Sequence, residues 1–303
     1  MTPARLIALD WGTSNLRARL LGNGGRVLQT RAGAAGVMAV PERRFSEALL
    51  DLCSDWIEQH HCPLVASGMI GSRQGWQEAP YIGCPAGLAQ AAERLTRVEV
   101  RPGVTLHIVP GLRCTGRNSQ DDVMRGEETQ LWGAGLLPGS CCVLPGTHSK
   151  WAWIGAGGAV ERFQTYMTGE LYALLTQHGI LGRLMVFGGA EPAAFDQGVR
   201  LGLDDPANVT HTVFAARTAG LMERWPPTAL PDLLSGILIG AEIGGALVHD
   251  HPAQVALLGD AALNERYARA LQAAGIESTR VAEDATTRGQ WQVAVAAGLT
   301  ENV

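Results

Sequence analysis

The feature that most constrains this chain is that it repeats itself. Near the start stands Leu9-Asp10-Trp11-Gly12-Thr13-Ser14-Asn15-Leu16-Arg17-Ala18-Arg19-Leu20, and later Val143-Leu144-Pro145-Gly146-Thr147-His148-Ser149-Lys150-Trp151-Ala152-Trp153-Ile154. Gly12 and Gly146, Thr13 and Thr147, and Ala18 and Ala152 correspond, 134 residues apart. A Gly-rich turn follows each copy: Gly22-Asn23-Gly24-Gly25 and Gly155-Ala156-Gly157-Gly158. A further β-like run follows each turn, at 26–30 and 159–165. Apolar residues alternating at period two lie on one face of a strand. Chance produces one Gly-Thr match easily, but not the double-Gly turn at the same offset, give or take one residue. The pattern predicts two related halves, 1–137 and 138–303, and 303 residues suit two medium domains.

Each half continues in mixed α/β style. Apolar spacing through Phe45, Leu49, Leu52 and Trp56 predicts a helix over 44–59. Strands are expected at 64–70 and 106–109, and a helix over 120–137 capped by Ser119 or Asp121. The second half is expected to hold helices at 168–178 and 233–248, a strand at 254–258 and a helix at 261–274. A last helix at 286–297 should stop at Gly298.

Composition removes several functions. Hydrophobic content of 46% and charge of 17% describe a globular chain with ample core. A net charge of -5 carries no footprint for nucleic acid. The N-terminal run is no secretory signal, and the longest apolar stretch is broken by Glu242 and several glycines, so no membrane span is expected. The six cysteines show no C-x-x-C spacing and read as reduced thiols of a cytoplasmic protein. His60, His61 and Cys62 end a helical stretch rather than build a metal site. Among 24 Lys and Arg residues only Lys150 is a lysine, and its context excludes a P-loop. A homodimer is compatible with the sequence, which sets no oligomeric state.

The repeated hairpins carry the chemistry. Backbone N–H groups in Gly-Thr turns cradle phosphate, and hydroxyls of Thr13, Ser14, Thr147 and Ser149 add donors. The rival reading is a pair of ordinary β-turns with a capping Asp. The copies differ: the first has Asp10 where the second has Leu144. A carboxylate at a phosphate site implies a cation between them, so Asp10 is expected to hold Mg²⁺ directly or through water. His148 and Lys150 offset negative charge in the second copy. Lys150 supports the clamp or its hairpin, or is merely an exposed strand lysine.

Ile7-Ala8-Leu9-Asp10-Trp11-Gly12-Thr13-Ser14-Asn15-Leu16-Arg17 resembles the first phosphate motif of the sugar kinase, heat-shock protein 70 and actin superfamily. Pro145-Gly146-Thr147-His148-Ser149-Lys150-Trp151 falls where the second should be, and Leu257-Leu258-Gly259-Asp260-Ala261-Ala262-Leu263 resembles the adenosine motif. With Ser67-Gly68-Met69-Ile70-Gly71-Ser72, Asp122-Val123-Met124-Arg125-Gly126-Glu127-Glu128-Thr129-Gln130 and Met167-Thr168-Gly169-Glu170-Leu171, the chain resembles the 2-dehydro-3-deoxygalactonokinase family. The resemblance implies an α/β fold of two ribonuclease H-like, actin-like ATPase domains around a nucleotide cleft. It implies phosphorylation by ATP of the 6-hydroxyl of 2-dehydro-3-deoxygalactonate, a small-molecule sugar acid. Nucleotide contacts are expected from Gly12, Thr13, Ser14, Asn15, Gly146, Thr147, His148, Ser149, Lys150, Gly259 and Asp260.

Phosphoryl transfer needs a clamp, a metal and a group orienting the acceptor. Superfamily kinases place that carboxylate about 20 residues before the second hairpin, an analogy of fold. Here the position falls at Glu127 and Glu128, where many relatives have Asp. Glu127 is favoured, then Glu128, then Asp122; a solvated acidic patch is the bland reading. Donors for the substrate carboxylate are sought in Arg73, Arg113 and Arg125, with Ser72, Trp76 and Tyr81 framing a pocket. Trp11 reads as core or cleft wall. Glu242 needs a buried partner, a ribose or an Arg. An epimeric sugar acid such as 2-dehydro-3-deoxygluconate, a nucleotide-dependent sensor and a phosphohydrolase remain the rivals.

Overall fold

The computed structural model describes residues 3–116, 119–281 and 284–301. The strands are β1 (Leu6–Trp11), β2 (Leu16–Leu21), β3 (Val27–Gly33), β4 (Leu64–Ser67), β5 (Tyr81–Gly83), β6 (Thr96–Arg101), β7 (Val104–Ile108), β8 (Gly111–Thr115), β9 (Asp121–Met124), β10 (Cys141–Leu144), β11 (Ser149–Ile154), β12 (Val160–Tyr166), β13 (Gln254–Leu257) and β14 (Glu277–Arg280). The helices are α1 (Phe45–His60), α2 (Leu88–Glu93), α3 (Glu127–Gly133), α4 (Thr168–Gln177), α5 (Pro192–Asp204), α6 (Val209–Thr212), α7 (Ala215–Leu221), α8 (Leu230–Ala246), α9 (Ala261–Ala273) and α10 (Ala285–Ala296).

Two sheets repeat one plan. The first runs β3-β2-β1-β4-β7-β6 and the second β12-β11-β10-β13-β14. In the first, β1, β2 and β3 pair antiparallel, and β4 and β7 then add in parallel. In the second, β13 adds in parallel to β10, and β14 to β13. Hairpin strands followed by parallel ones suit the ribonuclease H-like domains that the resemblance implies. The Gly-rich turns match in detail. Gly24 has φ 63 and ψ 17, and Gly157 has φ 65 and ψ 16. The N–H of Gly22 donates to Arg26 O and that of Gly155 to Ala159 O, both at 2.8 Å. These left-handed positions favour glycine, which is why both copies carry it. A small third sheet runs β5-β8-β9.

The chain forms two compact units: Met1–Gly139, Trp153–Phe163 and Ala282–Val303 in one, Ser140–Ala152 and Gln164–Val281 in the other. The first is cored by β1, β4 and α1, with Trp11, Phe45 and Trp76 rings in mutual contact. Trp11 is thus core, and the partly buried Trp76 packs against it. In the second unit α5 crosses α8 through glycines. A Cβ at Gly236 would come within 2.2 Å of Phe195 O, and one at Gly202 within 2.2 Å of Ile237 O. The apolar α8 matches the buried helix expected at 233–248, starting earlier at Leu230 with Pro231 in its first turn.

One expected element is corrected. Residues 120–137 are not one helix: β9 pairs antiparallel with β8, and α3 starts only at Glu127. Gly126, at φ 109, turns the chain between them, so neither Ser119 nor Asp121 caps the helix. All six cysteines are free thiols, and burial pushes Cys53 up to about 12. No helix among the described residues is long and apolar enough to cross a membrane.

Candidate active site

In the first unit the site begins at the carboxyl ends of β1 and β4, where open α/β sheets bind ligands. The turn after β1 is stitched shut on one side. Gly12 N–H donates to Asn15 O, and the carbonyls of Ser14, Gly12 and Thr13 accept from Gly36, Val37 and Met38. A Cβ on Gly36 would lie 2.2 Å from Ser14 C, so only glycine permits this approach. Among the described residues the N–H groups of Thr13, Ser14 and Asn15 have no backbone acceptor, and these three residues are exposed. That leaves a row of donors at the tip of the hairpin, as an anion cradle requires.

Asp10 stands at the entrance, its side chain 30% exposed and Arg17 Nη1 at 3.8 Å. Burial raises its carboxyl above the ordinary range, against the opposing pull of Arg17 and Arg19. Among the described residues no cluster of three His, Cys, Asp or Glu side chains forms, so a protein cage for a metal is absent. Mg²⁺ does not need one; it keeps waters and takes one or two carboxylates plus phosphate oxygens. A lone, partly exposed Asp10 beside a turn with outward N–H groups fits that demand.

The acidic pair reaches the same strand ends. Asp10 pairs with Ser67 across β1 and β4. A Cβ on Gly68 would meet Trp11 O at 2.8 Å, and one on Gly126 would meet Gly68 Cα at 3.3 Å. The start of α3 therefore rests on the ends of β4 and β1. Glycine contacts hold it there, since a Cβ at Gly133 would lie 1.9 Å from Ala285 O of α10. Gln290 of α10 also donates to Leu9 O and Ser67 Oγ, at 2.6 and 2.9 Å.

The two glutamates have different fates. Glu128 is fully buried; its carboxyl accepts from Gly126 N–H at 2.6 Å and from Thr129 Oγ1 at 2.9 Å. Burial, then the neighbouring charge of Glu127, pushes it up to about 7. Glu127 is only partly buried and accepts from Arg125 N–H at 3.1 Å. Asp122 lies on β9, its Oδ1 turned to Val123 N–H.

The expected substrate residues divide. Arg73 is exposed and paired with Glu78 at 3.0 Å, and Arg113 lies exposed on β8. Arg125 lies against Tyr81, its guanidinium carbon 4.3 Å from the ring centroid. Ser72 is buried, and its Oγ makes no hydrogen bond among the described residues.

In the second unit, the turn 145–148 abuts the start of α4. Glu170 N–H donates to Thr147 O at 3.0 Å, and a Cβ on Gly169 would lie 2.5 Å from Gly146 O. His148 pairs with Glu170. Thr147 and His148 are exposed, but Ser149 and Lys150 are buried. Lys150 donates to His148 O at 2.8 Å, so it is no exposed strand lysine. Ser149 and Trp151 donate to Glu242 at 2.7 and 2.9 Å; Tyr267 does so at 2.6 Å, and Thr168 also donates. Glu242 thus has four protein donors, neither the ribose nor the Arg that the sequence suggested. Burial raises its carboxyl, while those four bonds act the other way.

Beside this network a cavity of about 260 Å³ is lined by Gly146, Thr168, Tyr172, Leu238, Leu263 and Tyr267, among others. Gly259 follows β13, and Leu258 N–H donates to Val143 O at 3.0 Å beside the hairpin. Asp260 caps α9, accepting from Ala262 and Leu263 N–H groups at 2.9 and 3.1 Å. Tyr172, Leu238 and Tyr267 carry no local motif; only folding gathers them. Thr168 stood in a motif noted above without an assigned role.

Comparison with known proteins supplies the family. The family model for 2-keto-3-deoxy-galactonokinase matches residues 10–293. The 2-dehydro-3-deoxygalactonokinase of Escherichia coli (strain K12) is 38% identical over 285 residues, covering 93% of this chain and 94% of that protein. The crystal structure of a Sinorhizobium meliloti protein assigned as a 2-dehydro-3-deoxygalactonokinase superposes with a TM-score of 0.85 at 36% identity, covering 96% of this chain and 98% of that one. The activator of the 2-hydroxyisocaproyl-CoA dehydratase from Clostridium difficile, with bound ADPNP, shares the fold at 14% identity and a TM-score of 0.52, with 98% and 96% covered. By its matched sequence and its fold, this chain belongs to the 2-keto-3-deoxy-galactonokinase family.

Proposed function

We propose that the chain is an ATP-dependent kinase that phosphorylates the 6-hydroxyl of 2-dehydro-3-deoxy-D-galactonate, yielding 2-dehydro-3-deoxy-6-phosphogalactonate and ADP. The observation that carries this reading is the 38% identity to a named kinase of that substrate over 93% of the chain. The geometry of each unit is consistent with it. The cavity against Gly146 takes the nucleoside, and the turn of half-buried Gly146 and exposed Thr147 offers donors to its phosphates. Gly12, Thr13, Ser14 and Asn15 offer the matching donors in the other unit. Ser149, Lys150 and Asp260 serve by holding their turns in shape, since their polar groups are already engaged.

Glu127 is the acceptor-orienting base. It is the less buried of the pair, whereas the sealed Glu128 has no path to an acceptor hydroxyl. Glu127 takes the proton of the 6-hydroxyl as that oxygen bonds the γ-phosphorus; the bond from γ-phosphorus to the bridging oxygen breaks, and ADP leaves. Asp10 would hold Mg²⁺ through its carboxylate; when bound, the ion neutralises charge on the phosphate oxygens.

The test is a coupled assay of ADP release with Mg-ATP and either 2-dehydro-3-deoxygalactonate or its gluconate epimer. Turnover of the galactonate acid well above its epimer is expected. No acid-dependent release from folded protein rejects the reading, and release without any acid favours a phosphohydrolase.

A further inference from the structure

We infer that Arg125, backed by Ser72, anchors the carboxylate of the acceptor, and so selects a sugar acid over a neutral sugar; this rests on the kinase reading above. A guanidinium offers five N–H donors. Arg125 Nη2 gives one to Ala79 O at 2.9 Å, while Nε and Nη1 are shielded from solvent and bond nothing among the described residues. No carboxylate among the described residues lies within ion-pair reach of it, whereas Arg31, Arg73 and Arg269 each hold one. A shielded cation with unspent donors is costly, and an incoming anion that takes those donors relieves the cost.

The surroundings are built for such a ligand. Arg125 precedes the proposed base by two residues, and its own N–H fixes the Glu127 carboxylate. Gly71 leaves room for the fork, because a Cβ there would lie 3.0 Å from Arg125 Nη1. The next residue, Ser72, is 8% exposed, and its Oγ is likewise without a partner. Two independent polar groups thus share the same fault around Gly71. The Tyr81 ring covering one guanidinium face is 37% exposed, so a ligand gains the fork by displacing one surface side chain. A carboxylate takes guanidinium bonds and a hydroxyl bond together. A neutral hydroxymethyl or amide group leaves the cation uncompensated. The ligand class is therefore a short polyhydroxy acid presenting its carboxylate to Arg125 and its far hydroxyl to Glu127.

The experiment compares kcat/KM for the sugar acid and for its primary amide, in the wild-type chain, Arg125→Gln and Ser72→Ala. Wild type should prefer the acid. Arg125→Gln should lose roughly ten- to hundredfold of that preference, as for a charged hydrogen bond removed. Ser72→Ala should lose roughly three- to tenfold, through KM for the acid alone. Persistence of the ATP-induced rise in melting temperature shows that a variant folds. If Arg125→Gln does not fold, Ser72→Ala and Arg125→Lys, which keeps charge but loses the fork, decide the matter. An unchanged acid-to-amide ratio in folded variants overturns the inference and leaves the kinase reading standing. No turnover of any acid by wild type overturns the kinase reading itself.

Discussion

At the scale of single residues, neighbouring carboxyls divide the work by environment. Glu128 is raised to about 7 by burial and by the Glu127 charge, so its neutral form is favoured in the folded chain. A raised acid stabilises the fold fully below its unfolded value near 4.5 and loses that contribution as pH rises through about 7. Glu128→Gln mimics the neutral form. Its unfolding free energy should match wild type near pH 4 and exceed it by roughly 1–3 kcal/mol near pH 8. Denaturation curves at the two pH values check this, and a constant difference would falsify it. Glu127→Gln tests the other member: kcat should fall by at least about a hundredfold, the usual scale for a general base. Retained turnover in that variant would move the base to Asp122.

At the scale of elements, close backbone approach sets what the sequence tolerates. The α5–α8 crossing needs glycine, because a Cβ on Gly236 would sit 2.2 Å from a carbonyl oxygen of α5. Gly236→Ala should destabilise the chain by about 1–3 kcal/mol through overpacking, read as a lower denaturant midpoint. A midpoint equal to wild type would mean that the helices part without cost. In the second hairpin, Lys150 ties its ammonium to the His148 carbonyl. Lys150→Met should raise KM for ATP several-fold while far-ultraviolet dichroism stays native; an unchanged KM removes Lys150 from the clamp. The misread helix over 120–137 belongs here too. Apolar spacing in 121–137 suits a helix, but pairing with β8 claims 121–124, and Gly126 at φ 109 breaks the run. A non-local strand partner is invisible to local periodicity.

At the scale of the whole molecule, one strand order serves both sheets. A ligand that binds only the folded state stabilises the chain by mass action, by about 2.7 kcal/mol at a hundred times its dissociation constant. Mg-ATP should therefore raise the melting temperature, and Gly146→Val, which crowds the cavity proposed for the nucleoside, should abolish the rise. A persistent shift in that variant would place the nucleotide elsewhere. The repeat was legible in the sequence because its carriers are local: period-two alternation, and glycines at φ near 65 in both turns. Fold class, the two Gly-Thr hairpin turns and Asp10 at a strand end all follow from such short patterns. Burial and partnership do not. Glu127 and Glu128 are adjacent in sequence, yet tertiary packing around α3 seals only one of them. Arg73, Arg113 and Arg125 are alike as letters; Glu78 neutralises the first, solvent surrounds the second, and the third is shielded with donors unspent. Tertiary structure alone decided those fates, because desolvation and hydrogen-bond supply depend on residues distant in the chain.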